Sequence, residues 1–147
     1  MRWVALLVVA ALAGCATAQM ASSASDADAK TFSPPAGKAN LYVARSGDPS
    51  SSKARFNIAV DGKPVGPIPA GTFYLVVLNP GSHTLAASSP YNVARAAVPA
   101  EAGRNYFFEV TAADNTISSQ VRLGLVLVEE MGKVMVRQNK RAQGPGD

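Results

Sequence analysis

Apolar and polar positions divide the chain into regions of different periodicity. Residues 3–13, WVALLVVAALA, form an unbroken apolar run. Residues 16–35 are rich in Ala, Ser and Asp and show no hydrophobic period. From about Gly37 onward, short apolar or alternating runs are separated by Gly, Pro, Asn and Asp, which is the signature of β-strands joined by turns. Residues 39–45 read as a strand with Leu41 and Val43 on one face, and Tyr42 faces the other way. In residues 55–60, Phe56, Ile58 and Val60 alternate with Arg55, Asn57 and Ala59. Asp61-Gly62 is a hairpin turn, because both central positions of a type I′ turn need positive φ. Pro67 and Pro69 interrupt the returning strand at 65–68 and assign it to a sheet edge.

Residues 72–78, TFYLVVL, are apolar on both faces and read as a central strand. The Asn79-Pro80-Gly81 turn leads to a strand at 83–87, and others follow at 94–98, 105–111 and 121–128. Near the end, Glu129 and Glu130 precede Lys133, Arg137, Lys140 and Arg141, an order that suits a helix dipole. Val134, Val136 and Gly132 would suit a hairpin instead, and the charge order favours a short helix. The expected fold is a small, mainly β antiparallel sandwich of seven or eight strands. Residues 1–14 are read as a signal peptide, 15–35 as a flexible tether, 36–139 as the sandwich and 140–147 as a disordered basic tail.

The apolar run at the start is too short to span a bilayer. Its eleven residues would reach roughly 17 Å as a helix, against a hydrocarbon core of roughly 30 Å. With Arg2 before it, the run fits the hydrophobic region of a secretion signal. It ends in Leu12-Ala13-Gly14-Cys15, which resembles the lipobox of bacterial lipoproteins. That resemblance implies cleavage between Gly14 and Cys15 and attachment of a diacylglycerol to the Cys15 sulfur. Each buried methylene contributes about 0.8 kcal/mol and one chain anchors only marginally, so two or three chains are needed for lasting attachment. The competing reading is an ordinary signal cut after Ala16-Thr17-Ala18, which would discard Cys15. Ala16 rather than Asp follows the Cys, which by enterobacterial sorting rules implies an outer-membrane protein facing the periplasm.

Cys15 is the only cysteine, so acylation leaves no thiol for a disulfide or a Cys-ligated metal. The sequence pI of about 9.5 invites a nucleic-acid reading that the charge placement does not support. Arg2 departs with the signal, and from Cys15 to Val136 ten Lys or Arg face nine Asp or Glu. The basic excess sits in the last residues and reads as a solvated terminus; contact with anionic headgroups, or with phosphates of a periplasmic partner, is the alternative.

The stretches PPAGKANLYVAR, AVDGKPVG, TFYLVVLNPGSHTL and AGRNYFFEV, in that order, resemble the domain-of-unknown-function 2846 family of bacterial lipoproteins. The DG hairpin and the PG-x-H-T-L element are also similar to PEGA-type, transthyretin-like β-sandwiches. The resemblance implies fold and location and brings no reaction with it.

Catalytic chemistry finds little footing. His83 is the only histidine, and no H-x-x-E, H-x-H or paired-carboxylate spacing accompanies it. Asp61, Glu101, Glu109 and Asp114 are scattered. No G-x-S-x-G or S-x-x-K motif is present, Ser50-Ser51-Ser52 lie in a loop, and no glycine pattern cradles a phosphate. No catalytic residue, metal ligand or cofactor is assigned. Tyr42, Arg45, Tyr74 and Tyr106 are candidates for a patch binding a peptide, glycan or protein, since aromatics and Arg are enriched at interfaces. The alternative is that these aromatics fill the second face of the sandwich. The expected function is a lipid-anchored binding or scaffolding module of the envelope. An accessory subunit of a larger complex is the alternative, and a secreted enzyme is a distant third.

Overall fold

The computed structural model describes residues 17–47, 53–113, 120–145 and 147. Two sheets face each other. One runs β8 (Val121–Leu125), β7 (Asn105–Ala112), β1 (Ala39–Arg45), β4 (Thr72–Leu78) and β9 (Lys140–Arg141); the other runs β3 (Lys63–Pro67), β2 (Asn57–Val60), β5 (Gly81–Ser88) and β6 (Val93–Ala100). The mainly β sandwich architecture is as expected, with two differences: nine strands are described where seven or eight are expected, and the pairing is not all antiparallel. β1 pairs parallel with β7, and β4 parallel with β9, so the five-stranded sheet is mixed rather than antiparallel. The first strand is inserted between β4 and β7, and a parallel neighbour for it can only arrive from far along the chain.

β1 is buried along its whole length. Leu41 and Val43 point between the sheets, where they meet Phe56, Ile58, Leu85, Val98 and Val110 in the main core. Tyr42 and Ala44 point to the outer face and join Phe32, Phe73, Phe107 and Val136 in a second core. There the Tyr42 and Phe107 rings stack at 5.1 Å, and Phe32 lies 5.3 Å from Tyr42. Such pairs contribute about 0.5–1.5 kcal/mol beyond the area they bury.

Two helices cover that outer face. α2 (Glu129–Arg137) is the expected short C-terminal helix, acidic in its first turn and basic in its last. The other, α1 (Ser23–Ala29), lies inside the segment read as a flexible tether. That reading is corrected from Thr17 on. A seven-residue helix is too short to hold itself, so its order comes from docking. The Ser22 side chain caps it by accepting from the Ser25 N–H, and Tyr42 Oη donates to the Ala29 carbonyl at 2.7 Å. Asn105 Nδ2 donates to the Phe32 carbonyl. Before the helix, Met20 bridges Ala142, and the Gln143 N–H donates to the Gln19 carbonyl.

The basic tail is likewise folded rather than disordered. Arg141 is buried. Its guanidinium donates to the Ser25 carbonyl and to Asp147 at 2.6 Å, while its backbone N–H donates to Asp26. Burial of an Arg is tolerated here because each partner is an oxygen fixed by the fold.

The Asp61-Gly62 turn adopts the expected positive φ at both residues, and β3 is an edge strand as its prolines predict. A bulge between Ile58 and Ala59 lets β3 follow β2. β4 is second from the edge rather than central, because only two-residue β9 lies beyond it. Its apolar outer positions are explained in part by α1 and the C-terminal residues; Val77 stays about half exposed.

Candidate functional site

Gly14 and Cys15, the expected cleavage and acylation site, lie outside the described residues, as do Ser50-Ser51-Ser52 and Asp114. The aromatic and Arg patch is not a surface. Tyr42, Arg45 and Tyr74 are almost wholly buried, and Tyr106 is partly so. Tyr42 faces α1; burial pushes its hydroxyl up to about 12. Tyr74 Oη donates to the Pro67 carbonyl at 2.7 Å and tethers the edge strand to the facing sheet. Tyr106 Oη donates to the Pro99 carbonyl and accepts from the Glu101 N–H, closing the turn between β6 and β7. Arg45 donates to the carbonyls of Ala54 and Ile68 and lies 4.5 Å over the Phe56 ring. It is a clamp joining the end of β1 to the loops that flank β2 and β3. The reading that assigns aromatics to the second face is right for Tyr42 and for Phe107, whereas Tyr74 belongs to the main core and Tyr106 packs against it.

Among the described residues, three surface concavities stand out. The first, about 500 Å³, lies between the β2–β3 hairpin and β4 and is lined by Val60, Lys63, Val65, Val76 and His83. Here the structure brings together two residues that were read separately. The pairing of Val60 with Leu85 carries Asp61 alongside His83, whose Nδ1 is 2.6 Å from Asp61 Oδ2. Nε2 of the same ring is 2.8 Å from the Asn79 carbonyl. Both partners are acceptors, so the ring is satisfied only with a proton on each nitrogen. Those bonds hold the imidazole above its ordinary pKa, and the Asp61 carboxyl is held low by His83 and by the Thr84 N–H. A ring held between two fixed acceptors is poorly placed to take a proton from a nucleophile. The pair therefore fastens the DG hairpin to the β4–β5 turn. The strand register was the signal that could have joined them.

The second concavity, about 550 Å³, opens where β1 ends and is lined by Thr17, Ala18, Lys53, Arg55, Phe56 and Pro69, among others. Its floor is apolar and its rim is cationic. The third, about 440 Å³, is an open trough along α2 that includes Val126, Met131, Val134 and Met135. It adjoins exposed Leu125, Leu127 and Val128. No group of three or more His, Cys, Asp and Glu among the described residues is placed to hold a metal ion.

A family model described as a protein of unknown function, DUF2846, matches residues 35–122. The chain belongs to this family. The matched segment runs from the residues before β1 into β8 and so takes in most of both sheets, while α1 and α2 lie outside it. No curated protein and no solved structure matches the chain.

Proposed function

We propose that this DUF2846 protein is a lipoprotein of the bacterial envelope, anchored through acylated Cys15, whose sandwich is a non-catalytic binding or scaffolding module. The observation that carries the reading is the Leu12-Ala13-Gly14-Cys15 sequence directly after a short apolar run. A thiolate is the common side-chain nucleophile that makes a thioether, and here the chain has a single Cys at the position that needs one. Outer-membrane placement, facing the periplasm, follows from Ala16 after the Cys. The commitment of both His83 nitrogens to structural acceptors supports a non-catalytic role. Cys15→Ser tests the anchor: the variant is expected in the soluble periplasmic fraction or retained as the uncut precursor. A Cys15→Ser protein that is cut and still fractionates with membranes would refute the proposal.

A second reading, an accessory subunit of a larger complex, is favoured by one feature. Leu125, Leu127, Val128, Met131 and Val134 are all about half exposed or more around the β8–α2 junction, and exposed apolar clusters mark interaction sites. In detergent extracts this reading expects a discrete assembly larger than the chain in its micelle, lost in Leu127→Asp. A chain that migrates alone would leave the first reading.

A further inference from the structure

The described chain is already packed against the sandwich two residues after Cys15. Ala18 packs against the main core, and Thr17 lines the groove that holds Lys53 and Arg55 at its rim. Only Ala16 separates Thr17 from Cys15. Two residues span at most about 7 Å, whereas a flexible tether of about twenty would wander roughly 25 Å. Electrostatic screening acts over about 8 Å at physiological ionic strength. The folded attachment therefore keeps this end of the sandwich within reach of headgroup charge.

The same end carries a concentration of cations. Arg45 pairs with Thr72, Thr72 with Lys140, and Thr111 with Arg122, so Lys140 and Arg122 sit where β1 finishes. The second sheet is joined at this end by the Arg45 bonds to Ala54 and Ile68 and by Asn92, whose side chain bonds both backbone groups of Val121. Lys53, Arg55 and Arg95 belong to that end of the second sheet. All five cations are exposed, and among the described residues none makes an ion pair. Of the described acids, Glu109 accepts from Ser46 and keeps its charge, while Asp26 is bound by Lys30 and the Arg141 N–H. The connections from β1 to β2 and from β7 to β8 add Asp48 and Asp114 by sequence. Tyr91, 59% exposed, lies in the β5–β6 turn of this end, a residue type suited to a membrane interface. The opposite end carries Lys38, Lys63 and Arg104 against Glu101 and Asp61. Lys38 bonds Asn79, Arg104 pairs with Glu101, and Asp61 is held by His83.

We propose that this basic end rests on the anionic lipid headgroups surrounding the Cys15 acyl chains, so that the domain sits directly on the membrane with its His83 end facing away. The proposal rests on the anchor reading, and its test separates the two. The acylated protein is placed in vesicles of phosphatidylcholine with or without phosphatidylglycerol, carrying a headgroup quencher. A fluorophore is attached through Asn57→Cys near the basic end, or through Ala102→Cys at the opposite end. Flotation reads the anchor: a chain that does not float has lost the Cys15 reading. Among chains that float, quenching is expected at position 57 and not at 102, and stronger with phosphatidylglycerol. Each reversal among Lys53→Glu, Arg55→Glu and Arg122→Glu is expected to lower the docked-to-undocked ratio at least about fivefold, with an unchanged unfolding midpoint. Equal quenching at both positions, or quenching at 57 indifferent to charge reversal and to anionic lipid, overturns the proposal. Those results would instead return the basic end to an acidic protein partner.

Discussion

Replacing Gly132 by Ala separates helix propensity from packing. Gly132 lies within α2 and is buried against the sheet. On propensity alone, Gly132→Ala in a helix interior would gain about 1 kcal/mol. A Cβ at this position, however, would lie 2.3 Å from Phe107 Cγ, 2.6 Å from its Cδ2 and 2.8 Å from its Cβ. The ring has little freedom to retreat. Phe107 is 2% exposed, stacked on Tyr42 and 6.0 Å from Phe32. Overpacking a filled core costs about 1–3 kcal/mol, and three contacts under 3 Å against an immobile ring argue for the upper end. The net loss is then about 2 kcal/mol, or roughly 8 °C in Tm at about 4 °C per kcal/mol. Thermal unfolding of the acylated protein in detergent, followed by circular dichroism, measures it. Phe107→Leu should recover much of the loss in the Gly132→Ala background while destabilising the wild type, a coupling that a double-mutant cycle reads directly. Gly132→Ala as stable as wild type, or more so, would refute the seating of α2 on Phe107.

Three further outcomes are expected. Tyr74→Phe strands the Pro67 carbonyl and should lower stability by about 1 kcal/mol in urea unfolding, whereas the tyrosine would be dispensable if β3 were held by its ladder alone. His83→Gln should destabilise in a pH-dependent way. Because the folded imidazole is raised and the Asp61 carboxyl lowered, the pair's contribution is full between the ordinary carboxylate and imidazole ranges. It falls away as pH rises through the raised imidazole value or drops through the lowered carboxyl value; a gap between wild type and variant that stays constant from pH 5 to pH 9 would contradict the clamp. Arg141→Met removes charge-assisted bonds to Ser25 and Asp147 and leaves Asp147 without its partner. Hydrogen exchange should then speed up in α1 and the last residues before it does in the sheets, and uniform protection would contradict the strap.

What could be read from the sequence was the part whose signal is local. Alternation located β2, the DG pair set the turn after it, and the acid-to-base order along 129–141 marked α2. Placing Tyr42 opposite Leu41 and Val43 was also correct. That reading could not say whether the far face met water, because its cover comes from helices on either side of the sheet residues in sequence. α1 was invisible for a related reason: its Ala, Ser and Asp have no apolar period, and its order comes from Tyr42, Asn105 and Arg141. Arg45 reads from the sequence as part of a partner surface because its acceptors are backbone carbonyls nine and twenty-three residues away, which side-chain patterns do not reveal. Arg141 belongs by sequence to the basic tail, yet it bonds the Ser25 carbonyl 116 residues earlier.

The identity of the first residue of the mature chain tests the account most directly. Intact-mass and amino-terminal peptide analysis of the protein purified from membranes should show a chain beginning at Cys15, its sulfur bearing diacylglycerol. A chain cut after Ala18 with no lipid attached would contradict it.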